Sequence, residues 1–117
     1  MGFFSRNKKT SEPVKVKDDF DRGFEQGFSY YEKGEEYRKK KEYEKALEQY
    51  NLARRKGYVA PALYRGFVQV YRQLKEYDKA IACIDECIAY DKKYHFNSVA
   101  FEKLVEEKAK LLKMIKK

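Results

Sequence analysis

Apolar side chains recur through the middle of the chain at the spacing of one helix face. The first set, at i, i+3, i+4, i+7 and i+10, is Tyr43, Ala46, Leu47, Tyr50 and Ala53. The second set repeats that spacing and adds one further position, with Tyr77, Ala80, Ile81, Ile84, Cys87 and Ile88. The pattern predicts two amphipathic helices, over residues 43–56 and 77–90. Their alanines are expected where paired helices approach most closely.

These two stretches belong to a longer internal repeat. Residues 41–47 recur almost unchanged as residues 75–81, which is a shift of 34 positions. In the same register, Tyr30 matches Tyr64 and Tyr37 matches Tyr71. A fixed period of this length predicts a stacked-repeat architecture. Such repeats mostly present a surface to a partner rather than a catalytic pocket.

The recurring residues resemble the tetratricopeptide repeat, a helix–turn–helix unit of the same length. Its first helix has an aromatic, a small residue and a tyrosine at the positions of Tyr30, Gly34 and Tyr37. Its second helix alternates aromatics and alanines, as Tyr43, Ala46, Tyr50 and Ala53 do. The second copy departs where Val68 replaces the small residue. The resemblance covers about residues 27–94 and implies an all-α right-handed solenoid of antiparallel helix pairs.

Further helices are predicted around the repeat helices. A first helix of about 20 residues is expected to begin near Asp18, with Asp18 or Asp19 as its N-cap. Gly23 and Gly27 within it either permit close packing or simply weaken the helix. Another helix is predicted over residues 60–74, with Pro61 in its first turn. Gly57 just before it suits a left-handed helix end.

The last predicted helix, over residues 97–115, does not repeat the motif and is interpreted as a capping helix of about 97–116. Asn97 or Ser98 can cap its N-terminus, and its apolar stripe is Phe101, Leu104, Val105, Lys108, Leu111, Leu112 and Ile115. The predicted organisation is therefore a flexible basic arm over residues 1–17 and a helical domain over residues 18–117. That domain comprises repeats of about 27–60 and 61–94 and the cap. Because two repeats form a small array, either the long first helix and the cap complete the core or the chain forms a homodimer.

Composition adds a positive charge but no evident catalytic group. The net charge is +8 and 39% of the residues are charged. The only histidine is His95, and Cys83 and Cys87 lie on one predicted helix, where Cys87 is expected in the core. There is no zinc spacing, Gly-rich phosphate loop or Ser–His–Asp set, so we expect no enzyme activity, no metal and no cofactor. No apolar run is long enough to span a bilayer and no signal peptide is evident, so we expect a cytoplasmic chain.

The family resemblance implies a partner-binding groove. The first helix of each repeat lines a concave surface in this family, and the register transfers that role to eight positions. They are Phe28, Tyr31, Glu35 and Arg38 in the first copy and Ala62, Arg65, Gln69 and Arg72 in the second. Aromatics and arginines are typical hot-spot residues, so the prediction is an adaptor or scaffold that docks a partner peptide or helix, acidic or carrying a terminal carboxylate. The alternative is that the arginines only solubilise the surface.

One branch of the family clamps the C-termini of heat-shock chaperones with a lysine and an asparagine. The corresponding residues here are Tyr31 and Glu35, so a chaperone clamp is not expected. Glu35 would also repel a carboxylate.

Two other functions are compatible with the basic charge. Residues 38–41 and 54–56 are basic clusters that predict phosphate contacts in a nucleic-acid-binding accessory protein. Both clusters also end helices, where cations are favoured anyway. A peripheral membrane adaptor would instead use the arm, with Phe3 and Phe4 as its apolar anchors.

Overall fold

The computed structural model describes residues 18–115 and forms five α-helices. They are α1 (Asp19–Lys39), α2 (Tyr43–Arg55), α3 (Pro61–Gln73), α4 (Tyr77–Tyr94) and α5 (Val99–Ile115). Helices α1 and α2 form one antiparallel pair and α3 and α4 form the next, which confirms the predicted all-α repeat fold. Helix α3 also packs against α1 and α5, so α1, α3 and α5 lie side by side in one layer. The predicted arm over residues 1–17 lies outside the described residues.

The predicted helix signals at the first three helices are confirmed. Asp18 is the N-cap of α1, and its carboxylate accepts a hydrogen bond of 2.8 Å from the backbone N–H of Asp21. Helix α1 is 21 residues long, close to the predicted length of about 20 residues. Gly57 has a φ of +98° just after α2, and Pro61 occupies the first turn of α3. Gly57 and Pro61 therefore mark the end of α2 and the start of α3.

The core lies between α1, α3 and α5 on one side and α2 and α4 on the other. It includes predicted inward positions of α2 and α4 and also residues of α3, such as Leu63 and Phe67, that the sequence pattern did not assign. Ala46, Ala53 and Ala80 are fully buried, as expected of residues at close helix contacts. The largest fully buried side chains include Tyr50, Tyr64, Phe67, Leu63 and Ile84. Cys87 is also fully buried, which confirms its expected core position.

The glycines of α1 permit a close backbone contact. A Cβ atom built on Gly23 would lie 1.9 Å from the carbonyl oxygen of Gly57. A Cβ atom on Gly27 would lie 2.7 Å from the carbonyl oxygen of Ala53. Of the two interpretations left open by the sequence, close packing is therefore the one that the structure supports. These contacts bring the N-terminal half of α1 against the end of α2.

The end of α4 differs from the prediction. The helix continues to Tyr94 rather than Tyr90, and His95 ends it with a left-handed φ of 54°. The extra turn is stabilised because the Tyr94 ring packs edge-on against Phe20 of α1, at 5.3 Å between ring centroids. Lys93 also lies 3.4 Å from Asp19. The connection between α4 and α5 is therefore residues 95–98, whereas the predicted helices, 77–90 and 97–115, left residues 91–96 between them.

Helix α5 follows this loop and is only partly covered. Ser98 caps it by accepting a hydrogen bond from the Phe101 N–H at 3.0 Å, whereas Asn97 is left-handed and makes no such bond. Of the predicted apolar stripe, Leu104 and Leu111 are buried. Val105, Leu112 and Ile115 are 42%, 40% and 47% exposed because α3 and α4 cover only one side of the helix. None of the described helices is long and apolar enough to cross a membrane.

Candidate partner-binding surface

The predicted groove residues lie on the outer faces of α1 and α3. Phe28, Tyr31, Glu35 and Arg38 follow one face of α1, and Ala62, Arg65, Gln69 and Arg72 follow one face of α3. We refer to the layer of three adjoining helices as the α1–α3–α5 surface. Two clefts open on it, one between α3 and α5 and one at the C-terminal ends of α1 and α3.

Aromatic rings form the part of this surface on the N-terminal half of α1. The Phe24 and Phe28 rings stack with their centroids 4.7 Å apart, and Phe28 lies 5.6 Å from Tyr31. Tyr58, which is buried, lies beneath all three at 5.3 to 5.7 Å. Phe24 is 43% exposed and Phe28 and Tyr31 are half-buried. We call Phe24, Phe28 and Tyr31 the aromatic ledge, because they leave ring surface exposed above the buried Tyr58 side chain.

Glu35 and Arg38, further along α1, are paired with each other rather than free. The Arg38 Nη2 donates to Glu35 Oε1 at 2.7 Å, and the Tyr50 hydroxyl donates to Glu35 Oε2 at 2.5 Å. Partial burial alone would raise the pKa of Glu35, but these hydrogen bonds outweigh it and hold the pKa below its ordinary value. The same pairing raises the pKa of Arg38. The charge of Glu35 is therefore compensated within the fold, which weakens the repulsion that the sequence predicts.

The α3–α5 cleft combines an apolar floor with a charged rim. Val68 of α3 and Leu104 of α5 are buried at its base, and the cleft volume is about 120 Å³. Arg65, Gln69 and Arg72 line it from α3, and Ala100, Lys103 and Glu107 line it from α5. Arg72 lies 3.0 Å from Glu107, so this arginine connects the two helices.

Helix α5 therefore contributes to the surface, which the sequence did not predict. Lys103 and Glu107 were missed because α5 does not follow the repeat, so no register assigns its positions to a groove. Arg65 and Lys103 are exposed, and neither forms an ion pair with another residue of the described range. These two cations remain available to an acidic partner.

The second basic cluster, residues 54–56, does not provide three free cations. Arg54 lies 2.9 Å from Glu86 of α4 and packs over the Phe67 ring at 4.8 Å. The Tyr64 hydroxyl donates to the same Glu86 carboxylate at 2.6 Å. Arg54 thus belongs to a partly buried network that joins α2, α3 and α4, and only Arg55 and Lys56 are exposed.

The residues with potential catalytic or metal chemistry lie apart from this surface. Burial raises the pKa of Cys83 and of Cys87 to about 12, so neither thiol is a ready nucleophile at neutral pH. His95 is exposed at the end of α4. Among residues 18–115, no group of three histidine, cysteine or acidic side chains is placed to hold a metal ion.

A sequence profile of the tetratricopeptide repeat family matches the chain twice, at residues 29–53 and 67–94. The first match covers the C-terminal part of α1 and most of α2, and the second covers the end of α3 and all of α4. The matches and the two helix pairs therefore agree. Searches of curated proteins and of solved structures returned no match.

Proposed function

Because this chain belongs to the tetratricopeptide repeat family, we propose that it is a non-enzymatic adaptor that docks a segment of a partner protein on the α1–α3–α5 surface. The family relationship makes it a protein-interaction module. The partner, the surface used and the residues that contact it are the proposal. The residues assigned to docking are Phe28, Tyr31, Glu35, Arg38, Arg65, Gln69 and Arg72, with Phe24 and Lys103 added from the structure.

The observation that carries this proposal is the α3–α5 cleft. Its volume of about 120 Å³ is well below the roughly 300–1,000 Å³ of small-molecule sites, so it suits one side chain rather than a metabolite. Its floor of Val68 and Leu104 is apolar, whereas Arg65 and Lys103 at its rim are unpaired within the described range. A segment with an apolar side chain next to acidic ones fits this arrangement. The aromatic ledge provides a second contact for the same segment.

The net positive charge is compatible with nucleic-acid binding, but the contacts of the basic residues within the fold favour it less. Arg54 is engaged with Glu86, and Arg38 is engaged with Glu35 and Tyr50. Both basic clusters therefore lose their leading arginine to contacts within the fold. The experiment below separates the two functions.

Affinity capture from nuclease-treated lysate of the source cells tests the proposal. The tagged wild type is compared with an Arg65→Glu, Lys103→Glu variant, which reverses two exposed charges at the cleft without breaking an ion pair of the described range. A matched Arg55→Glu, Lys92→Glu variant makes the same charge change on α2 and α4. We expect to find proteins that are captured by the wild type and by the Arg55→Glu, Lys92→Glu variant. The Arg65→Glu, Lys103→Glu variant should not capture them. Equal capture by all three, or capture that disappears with nuclease alone, would overturn the proposal.

A further inference from the structure

The second cleft on the α1–α3–α5 surface is lined entirely by hydrogen-bond donors. It lies where α1 and α3 end and α2 begins, with a volume of about 450 Å³. Four lining residues are cations, namely Arg38, Lys39, Lys41 and Arg72. The other three, Tyr43, Gln69 and Gln73, carry a hydroxyl or an amide. No carboxylate lines the space, although 19 of the 117 residues are acidic. We call it the basic cleft.

Two of the four cationic charges are compensated and two are not. Arg38 pairs with Glu35 at 2.7 Å, and Arg72 pairs with Glu107 at 3.0 Å. Lys39 and Lys41 are exposed and form no ion pair with any residue between 18 and 115. The cleft therefore presents about two unbalanced positive charges, which is the complement of a dianion.

The general preference of helix ends for cations explains only part of this arrangement. It accounts for Arg38 and Lys39 in the last turn of α1 and for Arg72 in the last turn of α3. It does not account for Lys41, which lies beyond the end of α1 with a left-handed φ of 64°. Asparagine, aspartate and glycine are the residues that favour this conformation. Lys75 occupies the equivalent turn of the second repeat with a φ of 60°, so a lysine in this turn is a feature of both repeats. What sets the first turn apart is that Arg38, Lys39 and Arg72 line the same cleft as Lys41.

We propose that the basic cleft binds a phosphoryl group on a serine or threonine of the docked partner segment. The inference rests on the proposed function and specifies the chemistry of the partner. A phosphorylated side chain carries a charge of roughly −1.5 to −2 and three acceptor oxygens at neutral pH. Guanidinium and ammonium groups form short, charge-assisted hydrogen bonds to such oxygens. Arg38 uses Nε and Nη2 for its contacts with Glu35 and Tyr50, so its remaining N–H groups can serve the ligand.

The position of the cleft favours a peptide over a polynucleotide. Phe28 and Arg38 lie ten residues apart on α1, which corresponds to about 15 Å at roughly 1.5 Å per residue. An extended peptide covers that distance in about four or five residues. One segment can therefore place an apolar side chain on the aromatic ledge and a phosphoryl group in the basic cleft. A polynucleotide would instead require a row of phosphate contacts, and the cleft is a single site.

The test is an NMR titration of the full ¹⁵N-labelled chain with N-acetyl-phosphoserine amide. The other probes are N-acetylserine amide, an N-acetyl-Asp-Asp amide and a short oligodeoxythymidine. A Lys39→Ala, Lys41→Ala variant removes the two uncompensated charges. A matched Lys40→Ala, Lys56→Ala variant removes two exposed lysines that do not line the cleft.

We expect phosphoserine amide to shift the Gln69 and Gln73 side-chain amides and the backbone amides of residues 39–43. The Lys39→Ala, Lys41→Ala variant should bind about tenfold more weakly than the wild type. The Lys40→Ala, Lys56→Ala variant should bind as the wild type does. Equal binding of unphosphorylated serine, equal loss in both variants, or shifts spread over many lysines would overturn the inference. Tighter binding of the dicarboxylate would overturn the inference and assign the basic cleft to a pair of acidic side chains. Tighter binding of the oligonucleotide at the same residues would point to nucleic acid.

Failure of this inference can be told apart from failure of the proposed function. Two further measurements are needed: capture with the Lys39→Ala, Lys41→Ala variant, and capture by the wild type from phosphatase-treated lysate. If both retain the partner that the Arg65→Glu, Lys103→Glu variant loses, the docking surface stands and the phosphoryl site does not. Loss of the partner in both measurements supports the phosphoryl site.

Discussion

The Tyr50 hydroxyl on α2 donates a hydrogen bond to the Glu35 carboxylate on α1, at 2.5 Å. Arg38, one turn further along α1, donates to the same carboxylate. The Tyr50 ring itself fills the space left by Gly34 and Gly66, where a Cβ atom would lie 2.5 and 2.7 Å from the ring. The Tyr50 side chain thus packs between α1 and α3 and also holds Glu35, a charged residue of the α1–α3–α5 surface, in place.

Removing that hydroxyl is expected to destabilise the fold. Tyr50→Phe keeps the buried ring and deletes one donor to a partly buried carboxylate, so we predict a loss of about 1.5–3 kcal/mol in the free energy of unfolding. Chemical denaturation followed by circular dichroism measures it. Tyr30→Phe is the control, because the Tyr30 hydroxyl forms no hydrogen bond with the described residues. Equal losses in the two variants would contradict the role of the Tyr50–Glu35 bond.

The pH dependence of stability should report the ionisation of Glu35. The pKa of Glu35 is held below its ordinary value of 4.5 in the folded chain. The stability that this carboxylate contributes is therefore present above about pH 4.5 and is lost as the pH falls through the folded-state pKa. We predict that Glu35→Gln flattens the decline of unfolding free energy between about pH 5 and pH 3.

The control for this measurement is Glu32→Gln, an exposed residue on the same helix. In Glu32→Gln, the unfolding free energy should decline with falling pH as steeply as it does in the wild type. Denaturant titrations at several pH values would refute the assignment if Glu35→Gln had the same slope as the wild type in the acid range.

Close packing of α1 on the end of α2 predicts that alanine is harmful at Gly23. In an exposed helix, Gly→Ala stabilises by about 0.5–1 kcal/mol. Here the new Cβ would lie 1.9 Å from the Gly57 carbonyl oxygen, which is backbone and cannot rotate away. We predict that Gly23→Ala lowers the free energy of unfolding by about 1–3 kcal/mol. Gln26→Ala, at an exposed position on the same helix, should be neutral or stabilising. Thermal melts of both variants decide the matter, and a stabilised Gly23→Ala would refute the contact.

The two cysteines should react only when the chain unfolds. Cys83 and Cys87 are 6% and 0% exposed, and burial raises the pKa of each to about 12. At pH 8 the thiolate fraction in the folded state is therefore very small. We predict that a colourless aromatic disulfide reagent releases its chromophore slowly from the native chain and rapidly in denaturant. Rapid reaction of either thiol without denaturant would show that α4 opens locally or is packed differently.

Local signals in the sequence predicted most of the helix framework. The helix-face spacing and the 34-residue period placed Tyr50, Ala53 and Ala80 in the core, because apolar or small positions that recur in register occupy the same place in each unit. Asp18, Gly57 and Pro61 marked helix ends through their own backbone preferences. The end of α4 escaped this reasoning. Tyr94 extends the helix by packing against Phe20, and that contact joins two residues far apart in sequence.

The proposed docking residues could be predicted only where the repeat register extends. Arg65 and Arg72 could be assigned by their places in the second copy, whereas Lys103 and Glu107 lie on a helix outside the repeat. An i, i+3 spacing makes a Glu35–Arg38 pair conceivable from sequence. The third member, Tyr50, depends on the rotation of α2 against α1, which no local signal specifies. The basic cleft likewise depends on how two helix ends meet.

Photo-crosslinking to the captured partner tests the docking surface most directly. Benzoylphenylalanine would replace Gln69, which lines both clefts, or Glu48, which is exposed on α2 on another face of the molecule. Each variant would be irradiated with the partner identified by capture. Docking on the α1–α3–α5 surface predicts a crosslink from position 69 and none from position 48. A crosslink from position 48 alone, or from neither position, would contradict it.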